Sequence, residues 1–230
     1  IEACDENTEE ACQVIIHGAL NSRRCAEENA FESASFISSD KSRAATTIYG
    51  GMKYVAGESF IVNPLQNGPH LTSIIYGNVT NSTGSIVPLI NDSIRSKREL
   101  VLYNQEMTRF LIDIEDAVRL VIAAQKFSSC NIVPVANSFL IKDLFDIYAE
   151  RFGLKYVIGV PRIGEKIHEI MASQEEVPRM EFFKEDGLFI MHQQTHVNTI
   201  HFPSGEYSSK DCVLSRDQLD EYLSKNNYFR

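Results

Sequence analysis

Phe36-Ile37-Ser38-Ser39-Asp40-Lys41, followed past a short loop by Tyr49-Gly50-Gly51-Met52-Lys53, is the stretch that decides the fold. Ser35 to Ser39 reads as a short strand, and it gives way to an acid-base step at Asp40-Lys41. From about Tyr49 to Val62 apolar residues recur with a helical period. A strand that ends in hydroxyls and charge and then feeds a helix is the unit from which α/β sheets are built. Ligands of such sheets gather at the carboxyl ends of the strands.

The pattern repeats on both sides. Asn7 to about Asn29 predicts a helix, with Ala11, Val14, Ile15, Gly18, Ala19 and Ala26 at three- and four-residue steps. Leu71 to Val79 predicts a strand closed by Gly77-Asn78, and Gly84 with Pro88 bracket the start of a helix running to about Ser96. Leu100 to Tyr103 and Phe110 to Ile112 predict short strands, and Ile114, Ala117, Val118, Val121 and Ile122 mark an amphipathic helix. Asn131 to Val135 predicts a strand, Leu140 to Phe152 a helix ended by Gly153, and Lys155 to Val160 a strand stopped by Pro161. Alternation of this kind predicts an α/β protein with a parallel sheet. Beyond Ala172 the pattern degrades into acidic and basic pairs between short apolar runs such as Leu188 to Met191, which predicts a small appended lobe or tail.

Composition agrees with a folded chain. The 230 residues are 43% hydrophobic and 23% charged, which excludes disorder, collagen and coiled coil. No run of about 18 apolar residues exists to span a bilayer. The acidic start lacks the basic and apolar regions of a signal peptide, so a cytoplasmic protein is expected. A net charge of -9 repels polyanions, and no basic cluster offsets it, so neither nucleic acid nor membrane is an expected partner. The five cysteines are odd in number and contain no Cys-x-x-Cys pair, which argues against a disulfide framework and against zinc. His192, His196 and His201 do not form a compact ligand pattern, so no metal is expected.

Tyr49 and Lys53 stand four residues apart, so one helix face carries both side chains. An ammonium there is expected to lower the phenol pKa, letting Tyr49 accept a proton while Ser39 hydrogen-bonds the same substrate oxygen. Asp40 and Lys41 add an acid and a base at the same sheet edge. A surface tyrosine and a solvated ion pair produce the same spacing, so spacing alone leaves both readings open.

These residues resemble the extended short-chain dehydrogenase/reductases, specifically the nucleotide-sugar 4,6-dehydratases. Ile75-Tyr76-Gly77-Asn78-Val79, Gly84-Ser85-Ile86-Val87-Pro88, Met107-Thr108-Arg109-Phe110, Glu115-Asp116-Ala117 and Arg162-Ile163-Gly164-Glu165-Lys166-Ile167-His168-Glu169 follow in the family's order. Glu206-Tyr207-Ser208-Ser209 resembles the branch that inverts C5 of UDP-N-acetylglucosamine. The resemblance implies a partial Rossmann-like fold, the carboxyl-terminal half of a doubly wound parallel sheet, with a small α/β substrate-binding lobe. Residues 1–85, with returning segments near 110–135, would belong to the nucleotide-binding domain, and 86–230 mainly to the lobe and tail.

The same resemblance implies roles. Tyr49 would take the C4 hydroxyl proton and Lys53 would hold the ribose of NAD or NADP, with Ile37, Ser38 and Val79 also at the cofactor. Lys41 would be the base at C5, Asp40 the acid at C6, and Ser39 a hydroxyl on the reacting oxygen. Arg109 and Arg162 would grip the diphosphate of a UDP-sugar, with Asn78 and Glu165 as further contacts. Self-association is a family expectation.

Several positions depart from the family. The chain has no G-x-G-x-x-G after a strand, so it is expected to lack the amino-terminal half of the dinucleotide fold and to need that segment, in cis or from another chain, for activity. Ile15 stands where the family has an Asn that positions a relay water, Ile75 and Thr83 replace arginines, and Ala44-Ala45 replaces Asn-Pro. A binding fragment without turnover and a related 4-epimerase or retaining dehydratase are the alternatives. A simple epimerase has no need of an acid and a base to eliminate water.

Overall fold

The computed structural model describes residues 2–80, 82, 85–160, 164–194 and 200–229. In chain order its helices are α1 (Glu2–Glu6), α2 (Thr8–Cys12), α3 (Gly18–Glu28), α4 (Ile48–Ile61), α5 (Ile86–Ser96), α6 (Ile114–Ala124), α7 (Ile141–Phe152) and α8 (Arg216–Lys225). The strands are β1 (Ser33–Ile37), β2 (His70–Ile74), β3 (Leu100–Leu102), β4 (Thr108–Leu111), β5 (Cys130–Pro134), β6 (Asn137–Leu140), β7 (Tyr156–Ile158), β8 (Ile170–Ala172), β9 (Met180–Phe183), β10 (Leu188–His192) and β11 (Tyr207–Ser208). The chain divides into two compact units. One comprises 1–76, 115–135 and 170–207, the other 77–114, 136–169 and 208–230.

The first unit is built on a five-stranded sheet in the order β1-β2-β5-β10-β9. β1, β2 and β5 are parallel, with Ser33 opposite His70 and Thr72 opposite Cys130. The expected tail is instead part of this sheet: β10 pairs antiparallel to β5, and β9 antiparallel to β10. The reason is local, because Leu188, Ile190 and Met191 are buried and β9 and β10 form a hairpin, a connection that needs no crossover helix. Side chains alternate across the sheet. Leu71 packs with Ala19, Ala56, Phe60 and Ile61 of α3 and α4, while Ile74, Cys130 and Ile132 pack with Leu120, Ala123 and Ala124 of α6.

The helix expected over 7–29 exists as α2, a π-helical turn over Gln13–His17, and α3. The wider turn holds Ile15 and Ile16, which pack partly buried against the Ala19 cluster.

In the second unit α5, α7 and α8 surround a core that includes Val87, Ile90, Leu102, Phe139, Leu144, Phe145, Tyr148, Leu219 and Leu223. β3 pairs parallel with β7, and β4 antiparallel with β6. α8 begins at a reciprocal cap in which Ser215 Oγ accepts from the Gln218 N–H and the Gln218 side chain accepts from the Ser215 N–H. Its Leu219 and Leu223 complete the core.

Candidate active site

β1 delivers its last residues to the end of the sheet, and pairing continues one step further as the Ser38 N–H donates to the Ile74 carbonyl at 2.8 Å. The chain then turns through a 3-10 turn, Asp40–Ser42, capped by Ser39, whose Oγ accepts from the Lys41 N–H at 3.2 Å. The same Ser39 hydroxyl donates to Asp40 Oδ1 at 2.9 Å, and Lys41 Nζ reaches that oxygen at 3.3 Å. Asp40 is 1% exposed. The sequence thus places an ion pair at the buried end of a strand, with one hydroxyl oriented by it.

α4 starts beside this turn. Thr47 caps it, its side chain accepting from the Gly50 N–H, and the first turn carries Tyr49. A Cβ on Gly50 would lie 2.2 Å from the Lys41 carbonyl oxygen, so the absence of a side chain lets helix and loop approach this closely. One turn on, Lys53 Nζ donates to the Ile37 carbonyl at 2.8 Å and lies 6.0 Å from the Tyr49 ring centroid and 4.8 Å from that of Phe36. Ser39, Asp40, Lys41, Tyr49 and Lys53, with Ile37 and Ser38, therefore share one corner of the first unit.

The electrostatics differ from expectation. The Tyr49 phenol titrates above its ordinary value because burial disfavours the phenolate; Lys41 pulls it down, while Cys4 and Asp40 push it up. The cation that pulls the Tyr49 phenol down is Lys41, from the turn before α4. Burial lowers the Lys53 ammonium from its ordinary value.

The second unit holds a separate feature, a cavity of about 460 Å³. Its floor is apolar, with Val87, Leu102, Phe139, Leu144, Leu219 and Leu223 among the lining residues. Asn78, Val79, Ser85, Arg109 and Glu165 also line it. Arg109 Nη2 bonds Glu165 at 2.5 Å and Arg109 Nε lies 3.4 Å from Glu169, so two carboxylates compensate its charge. Arg162, Thr83 and His196 fall outside the described residues. Val79 forms a bridge with Ile112 and belongs to this second unit.

Ser85 is a residue that the chemical reading of the sequence did not single out. It is the N-cap of α5, yet its side chain makes no capping bond, and its buried Oγ has no hydrogen-bond partner. This buried hydroxyl stands at the start of an 11-residue helix and lines the cavity. The sequence signal was present in Gly84-Ser85 just before an apolar helix, but Ser at that position ordinarily caps its own helix.

Among the described residues no cluster of three or more His, Cys, Asp or Glu side chains is arranged to hold a metal, and no helix is long and apolar enough to cross a membrane.

Residues 1–189 match the model of a family described as polysaccharide biosynthesis protein. An uncharacterized membrane protein of Methanocaldococcus jannaschii is 28% identical over 99% of this chain and 72% of its own length. The UDP-N-acetylglucosamine 4,6-dehydratase (inverting) of Campylobacter jejuni is 32% identical over 76% of this chain, and the match takes in only 54% of that enzyme. UDP-glucose 4-epimerases of Rickettsia also match, at 28–30% identity. The crystal structure of Pen from Bacillus thuringiensis superposes with a TM-score of 0.85, at 22% identity, over 99% of this chain and 73% of that one. The family model covers most of the chain, so the chain belongs to the family described as polysaccharide biosynthesis protein, and its fold is the Rossmann-like α/β fold of that solved structure.

Proposed function

We propose that the chain carries the catalytic and substrate-binding part of a nucleotide-sugar 4,6-dehydratase acting on UDP-N-acetylglucosamine with inversion at C5. The observation that carries this reading is the Asp40–Lys41 pair, 3.3 Å apart at a buried strand end beside Tyr49. Moving one proton across that contact converts the ion pair into a neutral amine and a neutral carboxylic acid, the two forms that an elimination of water requires.

The residues at the nicotinamide end of a dinucleotide site are present and fit it: Lys53 is anchored on the Ile37 carbonyl at one turn's distance from Tyr49. The chain has no G-x-G-x-x-G for the pyrophosphate. Lys53 and Tyr49 would hold the nicotinamide end of NAD or NADP, which would supply an acceptor for the C4 hydride and a donor of it at C6.

Tyr49 takes the C4 hydroxyl proton, and Ser39 holds the oxygen. The resulting 4-ketone acidifies C5–H. Lys41, as amine, removes that proton while Asp40, as acid, protonates the leaving C6 hydroxyl, so water departs and the pair returns to its charged form. A proton delivered to the opposite face of C5 completes the inversion. Taken by itself, the cavity of the second unit suits a nucleotide, with an apolar floor for a base and Ser85 with the first N–H groups of α5 for a phosphate. Arg109 would hold Glu165 in place for ribose hydroxyls.

The test is incubation of the chain with UDP-N-acetylglucosamine and NAD or NADP, alone and supplemented with a glycine-rich amino-terminal segment. NMR would follow the 4-keto-6-deoxy product and solvent deuterium at C5. Product lost in Lys41→Ala supports the dehydratase. Sugar-nucleotide binding with no product under either condition overturns it in favour of a binding fragment, and a C4-inverted sugar in favour of an epimerase.

A further inference from the structure

Arg43 is the largest fully buried side chain among the described residues, 1% exposed, and it stands two residues after Lys41. We propose that it is a positioning residue: its guanidinium fixes the Asp40–Lys41 turn, and with it the distance of the Lys41 ammonium from Tyr49. This rests on the reading of those three side chains as the working groups.

The fork is used on both arms. Nη1 donates to Glu176 Oε1 at 2.6 Å and to Glu58 Oε1 at 3.1 Å. Nη2 donates to the same Glu58 oxygen at 3.1 Å and to Asn131 Oδ1 at 3.1 Å, and Asn131 Nδ2 closes the ring by donating to Glu58 Oε1 at 3.0 Å. These partners come from three places in the first unit. Glu58 lies on α4, the helix of Tyr49 and Lys53; Asn131 is the second residue of β5; Glu176 belongs to the segment leading into β9. Glu176 is held in turn, its Oε2 accepting from the Ser173 N–H at 3.0 Å and its Oε1 from Arg179 at 3.2 Å.

The backbone transmits the anchorage. The Arg43 N–H donates to the Asp40 carbonyl at 3.0 Å, closing the turn that carries Lys41. On the other side the turn abuts Gly50, so it is gripped between α4 and the buried guanidinium. Two carboxylates and two guanidiniums balance in charge, and the planar donor set matches three acceptors at once, which a lysine ammonium cannot do in the same geometry. Shortening or blunting the side chain leaves Glu58 and Glu176 without their shared cation, and the turn is free to lift away from Tyr49.

The experiment uses the 230-residue chain and reads Tyr49 by ultraviolet difference titration against Tyr49→Phe in each background, with thermal unfolding in parallel. Arg43→Lys and Arg43→Met are expected to shift the Tyr49 midpoint further upward, Met more than Lys, because the cation that lowers it has moved off. Glu176→Gln keeps Arg43 but loosens its tightest partner, and is expected to move the midpoint the same way by less. An Arg43→Lys chain that melts earlier with an unmoved Tyr49 midpoint overturns the proposal, leaving Arg43 a stability residue. If Arg43→Met does not fold, Arg43→Lys and Glu176→Gln decide. UDP binding by the unmodified chain is measured separately, so failure of the functional reading shows there and not in the titration.

Discussion

The α-carbon of Gly50 and the carbonyl oxygen of Lys41 are so close that a methyl group on the former would stand 2.2 Å from the latter. Helix α4 and the Asp40–Ser42 turn are thereby in backbone contact, and the contact makes the first prediction. Gly50→Ala gains helix propensity but must push α4 off the turn, and overpacking of this kind costs about 1–3 kcal/mol. Lower stability in urea unfolding, with product formation reduced more than substrate binding, is the expected result. A stabilised variant would refute the close approach.

Lys41→Ala and Asp40→Asn each remove half of the acid-base pair. Turnover is expected to fall by about 10²- to 10⁴-fold. UDP affinity, read by calorimetry, should stay within about twofold, since the cavity of the second unit keeps all its lining. Equal losses of affinity and turnover would contradict the assignment.

Ala44 sits at φ +45°, an exposed left-handed position at the end of the same loop. Alanine pays a steric penalty there that glycine does not. Ala44→Gly is therefore expected to stabilise the chain by about 0.5–1 kcal/mol, measured by chemical denaturation.

Ser85→Ala should separate stability from binding. The buried hydroxyl has no partner, so its removal leaves unfolding unchanged or slightly harder. Loss of one hydrogen bond to a phosphate weakens UDP binding by roughly 3- to 10-fold. Unaltered affinity would take Ser85 out of the nucleotide site.

Alkaline pH tests two buried groups. Burial pushes the Cys130 thiol up to about 12 from 9.0 and the Tyr148 phenol up to about 12 from 10.0. Both stay protonated in the folded chain where the unfolded chain has lost its protons. Their contribution is present in full below the unfolded values and is lost as pH rises through about 9 to 12. The loss is on the order of 4 kcal/mol for Cys130 and 3 kcal/mol for Tyr148. Urea midpoints should fall steeply between pH 9 and 12, and Cys130→Ala should flatten the early part of that fall.

Local periodicity made most of the first unit legible. β1, α4, β2, α6 and β5 stand close to where the sequence predicts them, but the stripe that marks α6 is turned the other way: Ile114, Val118 and Ile122 are exposed, and the helix buries Ala117, Leu120, Ala123 and Ala124 instead. β9 and β10 were harder to place, because a hairpin added antiparallel to a parallel sheet leaves no crossover signal in the sequence. α8 escaped notice although Ser215 and Gln218 spell its cap, since its outward face is charged and its buried stripe is thin. At the site, four-residue spacing brought Tyr49 and Lys53 together, but the sign of the phenol shift depends on burial and on Lys41, and spacing carries neither. Arg43 was invisible for a similar reason: its partners at 58, 131 and 176 meet only in three dimensions.

Leu219 and Leu223 belong both to the core of the second unit and to the wall of its cavity. Occupancy and the docking of α8 are consequently one equilibrium. A nucleotide that fills the cavity should protect residues 216–225 from protease, and a tag or deletion that disturbs that helix should register first as weakened retention of ligand, well before the protein fails to fold.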